Sequence, residues 1–290
     1  MLTNEERETA VALVRTALFE DLRGRVDLTT QLMIPDQAQG TIQIVSRQPG
    51  VLAGGVIIPL IIEELPGTVE LTDLLPDGSP LQPGTVIARL QGAVRTLLTA
   101  ERTILNFMTM LSGVATLTNQ YVLAVAGTPA RILETRKTLP GLRALQKYAV
   151  RCGGGTNHRI GLYDAVLVKD NHLAWYHSQH AGSLADAVRH VRTGAPVGMT
   201  IEFEVDSLQQ LEEMLPARPD IVLLDNMTTE QLQLAVHLRD VAAPEVLLEA
   251  SGGVNLATVA AIARTGVDRI SIGAITHSAP ALDLGFDWEK

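Results

Sequence analysis

After Gly127 the chain settles into a repeat. Strand-like runs RILET, AVLVKD, TIEFEV, DIVLLD, VLLEAS and DRISIG alternate with helical stretches such as SLADAVRHVR, SLQQLEEML, TTEQLQLAVHLRD and NLATVAAIART. The residues that close the last strands, Glu204, Asp225, Glu249 and Gly273, lie 21, 24 and 24 positions apart. Alternating β/α units bury their strands in a parallel sheet, and near-equal units of so short a period favour a barrel over an open sheet. No GxGxxG follows an early strand, which counts against a dinucleotide-binding fold.

The segment before the repeat reads differently. Asn4 precedes a helical pattern over residues 5–19, with Ala10, Val14 and Ala17 on its apolar stripe. From Gly40 to Leu90 short β-like runs, TIQIVS and TVIARL, are separated by turn signals such as LPDGSPLQPG, which predicts a small, largely antiparallel sheet. A long helix is expected from about Thr99 to Val125, with Ile104, Phe107, Met108, Leu111 and Ala115 as its buried stripe. The domain boundary falls near residue 112, giving an N-terminal α/β domain over 1–112 and a β/α barrel over 113–290.

Composition excludes several classes. With 46% hydrophobic and 19% charged residues in 290, the chain is neither disordered nor fibrous. The apolar stretch Val51–Ile62 is too short for a membrane span, and the opening MLTNEERET is too charged for a signal peptide, so a cytoplasmic protein is expected. The single cysteine, Cys152, forbids an internal disulfide. A formal charge of −9 argues against nucleic acid or an anionic membrane as partner. Yet between Arg131 and His172 eight basic residues face three acids, a local +5 that leaves −14 for the rest. A basic focus in an acidic chain suits a small polyanion held in one cleft.

In a β/α barrel, polar residues at C-terminal strand ends point into the active-site mouth. Read in order, these ends carry Glu134, Arg136 and Lys137; Lys169, Asp170 and Asn171; Glu202 and Glu204; Asp225 and Asn226; Glu249 and Ser251. Any one of them alone reads equally well as a helix cap or ion pair; charges at nearly every end require a ligand, a metal or one another. Two glycine turns, SGGV (Ser251–Val254) and SIGAITHS (Ser271–Ser278), follow the last strands, where barrels commonly bind phosphate. GGGTNHR places His158 and Arg159 beside the basic group Arg136, Lys137 and Lys169, a set suited to carboxylates and phosphates. A Schiff-base lyase using Lys169 as nucleophile remains an alternative on these residues alone.

The motifs ERTILNFMTMLSGVAT, ETRKTLPGLRALQKYAVRCGGGTNHRIGLYDAVLVKDNH, IEFEV, VLLDNM, LEASGGV and GVDRISIGAITHS, with ALFED and GVLAGG nearer the N-terminus, resemble the successive motifs of the quinolinate phosphoribosyltransferase family over nearly the whole chain. Two departures stand out: Glu134 replaces the family's usual Asp before TRKT, and its compact GDxTT is stretched to GRVDLTT at Gly24–Thr30. The resemblance implies an N-terminal α/β sandwich and an incomplete seven-stranded barrel. It implies conversion of quinolinate and 5-phosphoribosyl 1-pyrophosphate, with Mg2+, into nicotinate mononucleotide, pyrophosphate and CO2. It also implies a homodimer or higher oligomer with shared sites. By matched position, Arg136, His158, Arg159 and Lys169 bind quinolinate, with Arg102 supplied by a neighbouring subunit. Lys137 lies between the two substrates, Glu204 and Asp225 hold ribose and magnesium, and Ser251, Gly252, Gly253, Gly273 and His277 surround the 5′-phosphate. Two relatives of that chemistry stay open: a nicotinate-specific phosphoribosyltransferase, and a non-catalytic anion-binding paralogue of the molybdenum-uptake type.

Overall fold

A computed structural model describes residues 1–289. In chain order, the first elements are α1 (Asn4–Leu22), α2 (Leu28–Met33), β1 (Gln39–Ser46), β2 (Gly50–Val51), α3 (Ile58–Glu63), β3 (Val69–Thr72), β4 (Pro80–Leu81), β5 (Val86–Ala93) and α4 (Val94–Ala124). There follow β6 (Arg131–Leu133), α5 (Arg143–Cys152), β7 (Val166–Val168), α6 (Asp170–Gln179), α7 (Leu184–Gly194), β8 (Ile201–Val205), α8 (Leu208–Met214), β9 (Ile221–Asp225) and α9 (Thr229–Ala242). The chain ends with β10 (Leu247–Ser251), α10 (Val259–Ala263), β11 (Arg269–Ser271), α11 (Ala274–His277) and β12 (Leu284–Trp288).

These elements form two compact units that are discontinuous in sequence. The first comprises Met1–Asn119, Thr138–Gly154 and Ile275–Lys290. Its antiparallel sheet runs β12-β1-β5-β3, beside a two-stranded β2-β4 pair. The C-terminal strand thus closes the edge of the N-terminal sheet, with Ile42 opposite Trp288. Helix α1 starts in a capping box, Thr3 accepting from the Glu6 N–H and Glu6 from the Thr3 N–H, and buries Ala10, Val14 and Leu18 at helical spacing. Arg151 of α5 donates to Glu6 at 2.7 Å. The stretched GRVDLTT segment makes a second cap: Arg23 and Gly24 both adopt positive φ, and Asp27 accepts the Thr30 N–H at 3.0 Å to open α2. Gly153, which follows α5, lies so close to α4 that a Cβ there would stand 2.3 Å from the Ala115 carbonyl oxygen.

The second unit, Gln120–Lys137 and Gly155–Ala274, holds a parallel sheet of order β6-β11-β10-β9-β8-β7 with helices along it, the architecture of an incomplete β/α barrel. Ile221–Leu224 are all buried, as a central parallel strand covered on both faces requires. Six strands are formed. The seventh place is occupied by a single parallel bridge between Leu133 and Thr156, with the Thr156 N–H donating to the Ile132 carbonyl at 2.8 Å. It stays one residue long because glycines precede it and the turn carrying Asn157 and His158 follows at once.

Candidate active site

One cavity of about 650 Å³ opens where the parallel strands end. Arg136 and Lys137 follow β6, His158 and Arg159 follow the Thr156 bridge, Lys169 follows β7, Glu204 lies in β8, Asp225 ends β9, and Ser251, Gly252 and Gly253 end β10 and begin its loop. Every strand therefore delivers its C-terminal end to one place, where the topology of a β/α barrel gathers functional groups. Ten of the thirteen residues singled out from sequence line this cavity. Arg102, Gly273 and His277 do not. Arg102 is exposed on α4 with its guanidinium 3.6 Å from Glu101, Gly273 directly precedes α11, and His277 is exposed with Nδ1 2.6 Å from the Ser278 hydroxyl.

The cavity carries four cations against two carboxylates. Arg136 Nε is buried without a hydrogen-bond partner. Burial and the neighbouring Arg136 charge push the Arg159 pKa down, and Arg159 Nη1 donates to the Ala165 carbonyl at 3.1 Å. Two guanidinium groups held this close, one with a donor unused, describe a site shaped for an anion. Lys169 is different, because its ammonium is ion-paired with Glu204. Asp225 accepts from the Asn226 side-chain amide at 2.7 Å. Asn226 itself sits at a φ of +54°, and its Oδ1 fills the space in which a Cβ on Gly252 would stand, 2.2 Å away. Gly252 has a φ of +95°, so glycine is needed there both for the backbone and for the close approach of Asn226.

Below the mouth lies a buried ionisable group made of strand-end residues that the sequence placed at the mouth itself. Glu134 is fully buried and accepts the His158 N–H at 3.0 Å and the Asn157 amide at 3.1 Å. His158 Nε2 lies 3.3 Å from both Glu202 and Glu249, and Arg269 Nε donates to Glu249 at 2.7 Å. Burial opposes charge on the His158 ring, whereas Glu202 and Glu249 favour it. The N–H of Arg159, donated to Nδ1 at 2.7 Å, acts the other way, since it leaves no acceptor for a second ring proton. Burial pushes the Glu202 carboxyl up, whereas for Glu249 the His158 ring and Arg269 outweigh burial and pull it down. The sequence signal for this layer was the period-2 phase that places Glu202 on the face of Glu204.

Comparison with known proteins agrees along the whole chain. Residues 27–112 match the family described as quinolinate phosphoribosyl transferase, N-terminal domain, and residues 114–287 match its C-terminal domain. The nicotinate-nucleotide pyrophosphorylase [carboxylating] of Mycobacterium leprae is 50% identical over 289 residues, covering 99% of this chain and 100% of that protein. The probable enzyme of the same name from Synechocystis is 44% identical, covering 92% of this chain and 88% of that protein. The solved nicotinate-nucleotide pyrophosphorylase of Francisella tularensis superposes with a TM-score of 0.88 at 40% identity, over 97% of this chain and 96% of that one. Barrel, cavity and sequence agree, and the chain belongs to the quinolinate phosphoribosyltransferase family.

Proposed function

We propose that this protein is a pentosyltransferase of NAD biosynthesis: it transfers the phosphoribosyl group of 5-phosphoribosyl 1-pyrophosphate to quinolinate and releases CO2, giving nicotinate mononucleotide and pyrophosphate. The observation that carries the reading is the cavity itself, in which an arginine pair and two lysines face two carboxylates at the mouth of a barrel whose sequence matches this family throughout. The ring nitrogen of quinolinate attacks the anomeric carbon as pyrophosphate leaves. No covalent nucleophile on the protein is needed; positioning and charge carry the rate. The electron pair released when the adjacent carboxyl departs stays on the ring carbon beside the now cationic nitrogen, and a proton replaces CO2 there.

In this reading Arg136, His158, Arg159 and Lys169 form the quinolinate subsite, Lys137 faces the leaving pyrophosphate, and Ser251, Gly252, Gly253, Gly273 and His277 hold the 5′-phosphate. Glu204 and Asp225 take the ribose hydroxyls. Substrate binding exchanges the Lys169–Glu204 ion pair for two new partners, a quinolinate carboxylate for Lys169 and the ribose side for Glu204. Glu204 and Asp225 are hard oxygen donors lining one cavity, so the donor set fits Mg2+ completed by substrate oxygens. When bound, the ion would neutralise charge developing on the pyrophosphate. The active form is a homodimer or higher oligomer in which Arg102 completes a neighbour's site, and the protein works in the cytoplasm. Among the described residues no helix is long and apolar enough to cross a membrane.

A Schiff-base lyase is disfavoured because the Lys169 amine is tied up as an ammonium against Glu204, whereas such a nucleophile must be a free base. The test is release of CO2 and formation of nicotinate mononucleotide from quinolinate, with nicotinate as control substrate and excess chelator as a second control. Turnover of quinolinate that stops in chelator is expected. Use of nicotinate instead of quinolinate would overturn the substrate assignment, and full turnover in chelator would overturn the metal.

A further inference from the structure

The interior of a β/α barrel is ordinarily packed with branched apolar side chains. Here one interior layer is ionisable. Period-2 alternation along the strands sets Glu202 directly beneath Glu204, Glu249 beneath Ser251 and Arg269 beneath Ser271, and Glu249 stands opposite Arg269 in the sheet. Glu202 is 2% exposed and Glu249 0%, and Glu202 Oε1 and Glu249 Oε1 both lack a hydrogen-bond partner, so Glu249 acts on His158 Nε2 through charge at 3.3 Å. Carboxylates are not kept at such depth for packing, because an apolar residue of similar volume would fill the space at lower cost.

Both converge on His158. Its Nδ1 accepts the N–H of Arg159 at 2.7 Å, so that nitrogen bears no hydrogen; the ring hydrogen is on Nε2, between Glu202 and Glu249 at 3.3 Å each. The same three residues have the spacing of metal ligands, their donor atoms all lying within 4.8 Å of one another. The tautomer decides against that use. A histidine that ligates through Nε2 carries its hydrogen on Nδ1 and donates it to an outer partner, whereas here Nδ1 receives a hydrogen bond.

We propose that Glu202 and Glu249 are positioning residues for quinolinate recognition: they hold the His158 hydrogen on Nε2, leave Nδ1 to anchor the Arg159 backbone, and so aim the Arg159 guanidinium into the cavity. The proposal rests on the substrate assignment above. Glu134 secures the same turn from the other side through the His158 N–H and the Asn157 amide. Without these carboxylates nothing favours a hydrogen on Nε2, and a ring that carries its hydrogen on Nδ1 instead meets the Arg159 N–H head-on. Two donors cannot face each other, so the turn shifts. A guanidinium–carboxylate contact depends on direction, and quinolinate affinity falls with it.

Two measurements test this. Nitrogen-15 NMR of the histidine-labelled, ligand-free protein at neutral pH, with His158 assigned by its loss in His158→Asn, should report a neutral ring protonated on Nε2; an Nδ1–H or doubly protonated ring overturns the proposal. Steady-state kinetics of Glu202→Ala should show KM for quinolinate raised about 10- to 100-fold, the size of one lost charge-assisted contact, with KM for 5-phosphoribosyl 1-pyrophosphate and the magnesium dependence unchanged. Glu202→Gln and Glu249→Gln, which keep an oxygen beside Nε2, should stay close to the parent in KM for quinolinate. Equal rises in both KM values, a fall in kcat alone, or glutamine variants as impaired as Glu202→Ala would refute it. If Glu202→Ala fails to fold, the glutamine variants and the NMR of the parent protein still decide. A parent protein that ignores quinolinate refutes the substrate assignment, and the NMR result still judges the His158 arrangement separately.

Discussion

Replacing Arg136 by alanine should leave the ligand-free protein as stable as its parent and remove most of the protection that quinolinate confers. Arg136 Nε is buried with no hydrogen-bond partner, and its charge already disfavours that of Arg159, so truncation breaks no favourable pair. A bound carboxylate supplies what is missing, a charge-assisted hydrogen bond of about 1.5–3 kcal/mol, or roughly 10- to 150-fold in Kd. At quinolinate equal to 100 times the parent Kd, binding stabilises the parent by about 2.7 kcal/mol; at that concentration the variant retains about 0.3–1.4 kcal/mol. For a chain of this size about 1 kcal/mol moves Tm by roughly 2–4 °C. Protection should thus shrink from about 5–10 °C to about 1–5 °C in a thermal melt with and without quinolinate. A ligand-free variant that melts several degrees early would show that Arg136 has a structural partner. Undiminished protection would show that it does not face the substrate.

Other substitutions separate the remaining roles. Lys169→Ala loses its ion pair with Glu204, but the lysine is 46% exposed, so stability should fall by no more than about 1 kcal/mol while kcat/KM for quinolinate falls roughly 10- to 150-fold; a large drop in Tm would make the pair structural. Gly252→Ala must displace Asn226 and should abolish turnover, whereas Gly253→Ala, strained by a φ of +60° but meeting open space, should retain a measurable rate; equal effects would refute the close-approach argument. Asp27→Ala removes the cap of α2 and should cost about 1 kcal/mol at pH 7. Hydrogen bonds from Thr30 hold the Asp27 pKa below its usual value, so this stabilisation is complete above about pH 4 and is lost as pH falls through the folded value. Parent and variant melts should therefore converge in acid. Finally, if Arg102→Ala and Lys137→Ala are each inactive, reassorting their subunits should restore about a quarter of the activity, since half the dimers are mixed and each mixed dimer has one intact site. No recovery after proven subunit exchange would place Arg102 in its own subunit's site.

The barrel was legible because its cause is local. Strand and helix periods, and the near-equal spacing of Glu204, Asp225, Glu249 and Gly273, depend on neighbours within a few residues, and side-chain alternation fixes which face each strand-end residue shares. Charges at the strand ends could be read as one cluster because a parallel barrel brings all its C-terminal ends together whatever the loops do. The motif from Thr135 to His172 carried the family for the same reason, being contiguous in the chain.

What the tertiary structure decided is who pairs with whom. Nothing near Trp288 specifies that β12 will return to lie against β1, because that pairing is selected by the edge left free once the N-terminal sheet has formed. Sequence lists Lys169 and Glu204 alike as charged strand ends, yet only the folded cavity sets one against the other as an ion pair. Glu202 and Glu249 look in sequence like two more mouth residues; the two-residue step along each strand, multiplied by the depth of the barrel, drops them into a buried layer around His158. Hydrogen-bond geometry there depends on atoms from four strand ends and one glycine-flanked turn, and such a constellation exists only once the sheet has closed around it.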